Sequence, residues 1–315
     1  LADGEAKALF AFSQFRLLAA ENRWSEAIPA LERAASFDPH SDYLQLSLAK
    51  ALLHQDEADR SIAILEKLLI TQPENVETLE LLGDLLSYRK QHEPAIAHYR
   101  KALVLEPGNE MLQMRLAMAL GRLQLNDEAI EVLETLVAKH PEAKLAHLSL
   151  ARFYQEVDQF EKAAATYRAL LLQNSAHQQA VIEYGKLLEH QQLYAEAYQV
   201  YRTGISVNPR AVAVREQLAL LYLKQNRLLE ASEQFQAIQQ QLPEDQQVLE
   251  RLGLIYLELG DWSQAETVFT DLRRLDADND ENRYYLGLAL IGQKKASAAL
   301  EVMAPIRETS SFFAE

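Results

Sequence analysis

Apolar residues recur along this chain with a helical period, in runs separated by short polar stretches. Leu79, Leu82, Gly83 and Leu86 form an i, i+3, i+4, i+7 face. A polar break at 89–93 follows, then a second run with Ala95, Ile96, Tyr99, Ala102 and Leu103. Pro107 ends that run, because proline has no N–H to donate and disfavours a helical residue before it. The pattern predicts two antiparallel helices joined by a short turn, each of about 14 residues and about 20 Å long.

The pair recurs. Pro39, Pro73, Pro107, Pro141, Ser175, Pro209, Pro243 and Ala277 fall 34 residues apart, a fixed period that marks a solenoid. Repeats counted from Ala8, Asp42, Val76, Glu110, Lys144, Gln178, Val212, Gln246 and Asp280 share a register. The eighth place is small in all but the first: Phe15, Ala49, Gly83, Ala117, Ala151, Gly185, Ala219, Gly253 and Gly287. The twentieth is alanine in all but the second, which has Ser61. The eleventh and twenty-fourth are large, as in Leu86 and Tyr99 or Leu188 and Tyr201. Small residues at two fixed places let helices approach, and large ones fill the space left.

This spacing resembles the tetratricopeptide repeat (TPR), which pairs small residues at the eighth and twentieth places with a proline near the end. The likeness covers roughly 8–315. It implies an all-α, right-handed superhelical solenoid of about nine 34-residue helix-turn-helix units, read as one array over 1–315. Residues 312–315 would start a further repeat, which reads as a piece of a longer array. Ser175 and Ala277, in place of proline, predict looser turns, and Pro305 predicts an early end to the last helix. As the first repeat, the one holding Phe15 is expected to pack atypically.

Composition narrows the function. The formal net charge is −15 and there is no basic stripe, which argues against nucleic acid and anionic membranes as general partners. No apolar stretch is long enough to span a bilayer. Zero cysteines exclude disulfides and thiol catalysis. The start at Leu1 rather than methionine tilts the expected location towards a bacterial cell envelope or periplasm over the cytoplasm.

Candidate chemistry is sparse. No metalloprotease or nucleophile-elbow motif occurs. Gly287 and Gly292 have phosphate-loop spacing, but Gln293 stands where the lysine belongs. The eight histidines form no tight ligand motif; His140 and His147 merely flank a proline turn. The chain is read as a non-enzyme with no cofactor and no metal.

What remains is a surface. The resemblance implies that the second, fifth, ninth and twelfth places line a concave groove. The ninth place brings four basic residues, Arg16, Lys50, Arg152 and Lys186. It lacks the asparagine that a chaperone-binding carboxylate clamp of this family uses. In the last third, Leu220, Leu223, Leu254, Leu257, Leu288 and Ile291 form an aliphatic strip beside Tyr284. An exposed strip of that kind suits a partner helix; packing against neighbouring repeats, or a homodimer, is the alternative. Met111, Met114 and Met118 share one helical face with Arg115 and Arg122 nearby, an adaptable surface or an ordinary gap-filling one. The reading is a non-catalytic scaffold holding a protein or peptide partner. The alternatives are a sensor module with an output domain elsewhere, or a solenoid guiding a glycan in a bacterial export machine.

Overall fold

The computed structural model describes residues 2–306, with side chains from Gly4 onward. Among the described residues the chain is all-α, with eighteen helices and no strand. It divides into two compact units, Leu1–Thr166 and Tyr167–Glu315. The first carries α1 (Ala2–Ala20), α2 (Trp24–Phe37), α3 (Asp42–Leu52), α4 (Ala58–Thr71), α5 (Val76–Tyr88), α6 (His92–Leu105), α7 (Glu110–Arg122), α8 (Asn126–Lys139) and α9 (Lys144–Glu156). The boundary falls within α10 (Phe160–Gln173). The second carries α11 (Gln178–His190), α12 (Tyr194–Val207), α13 (Val212–Lys224), α14 (Leu228–Gln239), α15 (Gln246–Leu259), α16 (Trp262–Leu275), α17 (Asp280–Gly292) and α18 (Ala296–Met303). The further repeat expected at 312–315 lies outside the described residues.

Every repeat closes its first helix in the same way. The residue at the fifteenth place adopts a left-handed conformation: Asn22, Asp56, Lys90, Gln124, Asp158, Gln192, Asn226, Gly260 and Lys294. The next N–H then reaches back to the carbonyl of the eleventh-place residue, as Gln91 does to Leu86 at 2.8 Å and Leu193 to Leu188 at 2.8 Å. This satisfies a carbonyl the helix end would otherwise leave open. The second helix starts two residues after the left-handed one in all nine repeats, from Trp24 to Ala296.

Between repeats the chain turns into the next first helix, in several repeats through a side-chain cap, though α9 and α13 start after Ala143 and Ala211 without one. Asn75, Asn109, Asp245 and Asn279 each accept a hydrogen bond from the backbone N–H three residues on. The Ser175 turn keeps the bond made by its proline counterparts, His177 N–H to Asn174 carbonyl at 3.1 Å. It is not looser, because proline's contribution here is to stop the preceding helix rather than to make that bond. At Ala277 the turn is held instead by Asp278 N–H donating to the Asp276 carboxylate at 3.3 Å. α18 ends at Met303, two residues before Pro305; Ala304 keeps a helical backbone, and the helix stops because Pro305 has no N–H to continue the ladder.

The core follows the register. The twentieth-place side chains from Ala27 to Ala265 are wholly buried. Ser61 replaces alanine without leaving an orphan hydroxyl, since it donates to the eighth-place carbonyl of Ala49 at 2.8 Å. Eighth-place glycines receive the twenty-fourth-place side chain of the same repeat. A Cβ on Gly83 would lie 2.6 Å from the Tyr99 ring, on Gly185 2.3 Å from Tyr201, and on Gly253 2.7 Å from Phe269. Burial, reinforced by the Glu189 carboxylate that it donates to at 2.7 Å, holds the Tyr201 phenol well above its usual pKa.

Two outcomes test this packing. Gly185→Ala forces the Tyr201 ring to move and is expected to cost about 1–3 kcal/mol in denaturant unfolding. Adding Tyr201→Leu restores most of the loss, because alanine opposite leucine is the pairing Ala49 and Ala117 already have with Leu65 and Leu133. Lys90→Gly removes a Cβ from a left-handed position and is expected to raise stability by about 0.5–1 kcal/mol. The same change at Leu86, which is helical, should lower stability.

Candidate functional site

The first helix of each repeat spends some of its places on the core and leaves others at the surface. In the first unit those surface places enclose a row of cavities, each between two consecutive repeats. One of about 420 Å³ lies between α1 and α3 and is lined by Phe12, Phe15, Arg16, Trp24, Tyr43, Ser47, Lys50, Ala51 and His54. A second, about 430 Å³, lies between α5 and α7 and includes Asp84, Tyr88, His92, Tyr99, Met114, Arg115, Met118 and Arg122. A third, about 740 Å³, lies between α7 and α9 and includes Met118, Gly121, Arg122, Asn126, Arg152, Phe153 and Glu156. The second and third share Met118 and Arg122, so they form one trough across α5, α7 and α9.

The structure joins two groups that the sequence kept apart. Met114, Met118, Arg115 and Arg122 were expected as one surface and Arg152 as part of another, yet Arg152 lines the same cavity as Met118 and Arg122. Met111 is exposed on α7 but outside these linings. Arg115 grips acidic groups of this chain itself: it pairs with Asp84 at 2.6 Å and with Glu80. Asp84 also accepts the Tyr99 hydroxyl at 2.8 Å. Burial, with that carboxylate beside it, pushes the Tyr99 phenol well above its ordinary pKa. Arg115 is therefore a strut in the wall between α5 and α7, while Arg122 joins no ion pair among the described residues.

Two features of the trough were not recognised from sequence. Gly121 lies beneath the Phe153 ring, and a Cβ there would come within 2.5 Å of it. The signal was present as a twelfth-place glycine followed, one repeat later, by a phenylalanine at the tenth place. The other feature is the seventeenth place, the first residue of each second helix, which supplies Trp24, His92 and Asn126 to the three linings.

The remaining basic places differ from one another. Lys50 pairs with Glu77 of the next repeat. Arg16 and Lys186 join no ion pair among the described residues, and Lys186 is exposed in the second unit. There the aliphatic strip stands at the surface without being core. Leu254 is 41% and Ile291 53% exposed, and Leu220, Leu223, Leu257, Tyr284 and Leu288 are half-buried.

Among the described residues, one group of side chains has the spacing to hold a metal ion, namely Glu110, His140 and Glu142. His140 Nδ1 lies 2.8 Å from Glu110 and 3.5 Å from Glu142. Both carboxylates are largely exposed, and the contacts tie the α8–α9 turn to the start of α7 without an ion. His147, which the sequence set beside His140, is buried and its Nδ1 is 3.1 Å from the Ala143 carbonyl.

Comparison with known proteins accords with this architecture. Family models described as tetratricopeptide repeat match residues 18–85 and 124–182, 216–280 and 250–307, and 76–109. The chain belongs to the tetratricopeptide-repeat family. Arrays of this kind offer extended surfaces to protein partners. Similar solved structures include MamA AMB-1, at 24% identity over 52% of this chain and 90% of that one, with a TM-score of 0.47. A tetratricopeptide repeat protein from Parabacteroides merdae is 20% identical over 76% and 96%, with a TM-score of 0.47. YrrB, described as a TPR protein with an unusual peptide-binding site, is 17% identical over 63% and 98%, with a TM-score of 0.49. No curated protein matches the chain. No helix of the described residues is long and apolar enough to cross a membrane.

Proposed function

We propose that this chain is a non-catalytic scaffold that holds a peptide or helix of a protein partner on the first-helix face of its repeats. The observation carrying this reading is the continuous trough across α5, α7 and α9. Its floor is adaptable and apolar, from Met114, Met118 and Phe153, and Arg122 and Arg152 supply cations at its walls. Methionine and aromatic surfaces adapt to a partner's side chains, and arginine adds directional contacts to them. Arg115 is held by two of this chain's own carboxylates, whereas Arg122 joins no ion pair among the described residues.

The exposed Leu254 and Ile291 favour a second reading, in which the strip in the second unit also docks a partner helix or a second copy of the chain.

The test compares partner capture by the parent chain with two double variants, Arg122→Glu with Arg152→Glu and Leu254→Glu with Ile291→Glu. All four changes are at exposed positions, and circular dichroism checks that the helices persist. The trough variant is expected to lose retained partner by about tenfold or more, equivalent to at least ~1.4 kcal/mol, while the strip variant keeps it. Loss only in the strip variant would move the site to the second unit. Full retention by both would overturn the reading.

A further inference from the structure

The cavity between α1 and α3 differs in chemistry from the trough. Its lining carries Arg16, Lys50 and His54 and no carboxylate, in a chain whose net charge is −15. Aromatic rings make up most of its wall. Trp24 and His54 stack at 3.6 Å between ring centroids and 4° between planes. Phe12 meets Tyr43 edge-on at 5.5 Å and 70°. These contacts hold the rings in place before anything binds, so a ligand meets a wall whose rotamer freedom has already been given up.

We propose that this pocket anchors an aromatic side chain of an acidic peptide segment, with Arg16 and Lys50 taking the carboxylates that flank it. The inference rests on the reading that this face binds peptide, and it names the chemistry of one such partner. Charge complementarity selects an acidic segment: the lining is locally cationic, and Arg16 joins no ion pair among the described residues. Lys50 is paired with Glu77, which lies outside the lining, so an incoming carboxylate competes for it. A peptide suits the pocket better than a free small molecule, because pockets for small molecules bury most of their ligand. This one is shallow: Tyr43 is 66% exposed and His54 is exposed. A volume of about 420 Å³ accommodates one or two side chains of a longer segment. Nucleic acid would also use rings and cations, but it calls for a basic stripe along the surface.

Trp24 is a built-in reporter, one of two tryptophans, and Trp262→Phe silences the other. In that background the probe is acetyl-Glu-Asp-Phe-Asp-Glu-amide, capped at both ends so that no terminal carboxylate contributes. The expected result is a saturable change in Trp24 emission. Arg16→Glu, or alanine for the peptide's phenylalanine, should weaken binding by roughly tenfold or more, and added salt should weaken it further. No saturable change, an equal response to a lysine-rich peptide, or indifference to Arg16→Glu would overturn the proposal. So would saturable binding of a short oligothymidylate, lost in Arg16→Glu, in place of the peptide. Partner capture by the Arg16→Glu chain separates this inference from the broader one. Capture that survives there and fails in the trough variant, with no peptide signal, sinks the pocket alone; capture that the Arg16, trough and strip variants all leave unaltered sinks the broader reading.

Discussion

The fold depends on how closely two helices can approach at the eighth and twentieth places. Twentieth-place alanines are wholly buried, and a large twenty-fourth-place side chain lies over the small eighth-place residue of the same repeat. Where that side chain is Tyr99, Tyr201 or Phe269, the eighth place is glycine and even a methyl group would collide. Alanine fits where it is Leu65 or Leu133, and also where it is Tyr167 or Phe235, which are wholly buried against Ala151 and Ala219. The eighth place therefore has to be small in every one of these repeats, and ring placement decides whether a methyl group is admitted, as close-packed interiors demand. With so few places deciding the core, the rest of each repeat is free to vary.

That freedom is where function resides in such an array. The core takes the eighth, eleventh, twentieth and twenty-fourth places, while the fifth, ninth, twelfth and thirteenth recur in the cavity linings. Their chemistry changes from repeat to repeat: aromatic and cationic between α1 and α3, methionine and arginine around α7, aliphatic in the second unit. Most lining residues are not core residues, Phe15 and Tyr99 being exceptions, so the exposed Arg16 and Arg122 are free to vary with little effect on the core.

The register of the repeats was legible because it is written in residue size, which a sequence displays directly. Ser61 and Pro305 were legible as departures, and the structure supplies their reasons in a hydrogen bond to Ala49 and an early end to α18. The left-handed fifteenth place was not recognised. Only Gly260 there is glycine, and Lys90, Gln124, Gln192 and Lys294 give no local sign of positive φ; the neighbouring hydrogen bonds impose it. Arg115 was placed beside a candidate adaptable surface, and its role as a strut was not legible, because sequence does not show that Glu80 and Asp84, one repeat earlier, converge on it. The joining of Arg152 to the methionine face was hidden for the same reason, since it depends on which places of successive repeats meet.

One such meeting shapes the cavities. The seventeenth place of a repeat lies near the thirteenth place of the next. Trp24 stacks on His54 in this way, and Trp262 covers Gly292, where a Cβ would come within 2.2 Å of its ring. Large rings at this junction occupy the space between repeats. In the part of the trough between α7 and α9 the same junction is Asn126 with Glu156, neither of them a ring, and the twelfth place beside it is Gly121. Removing bulk at three neighbouring places while keeping Phe153 against the glycine leaves the cavity of about 740 Å³. The space open to a partner is therefore set by the residue that begins each second helix as well as by the first helices.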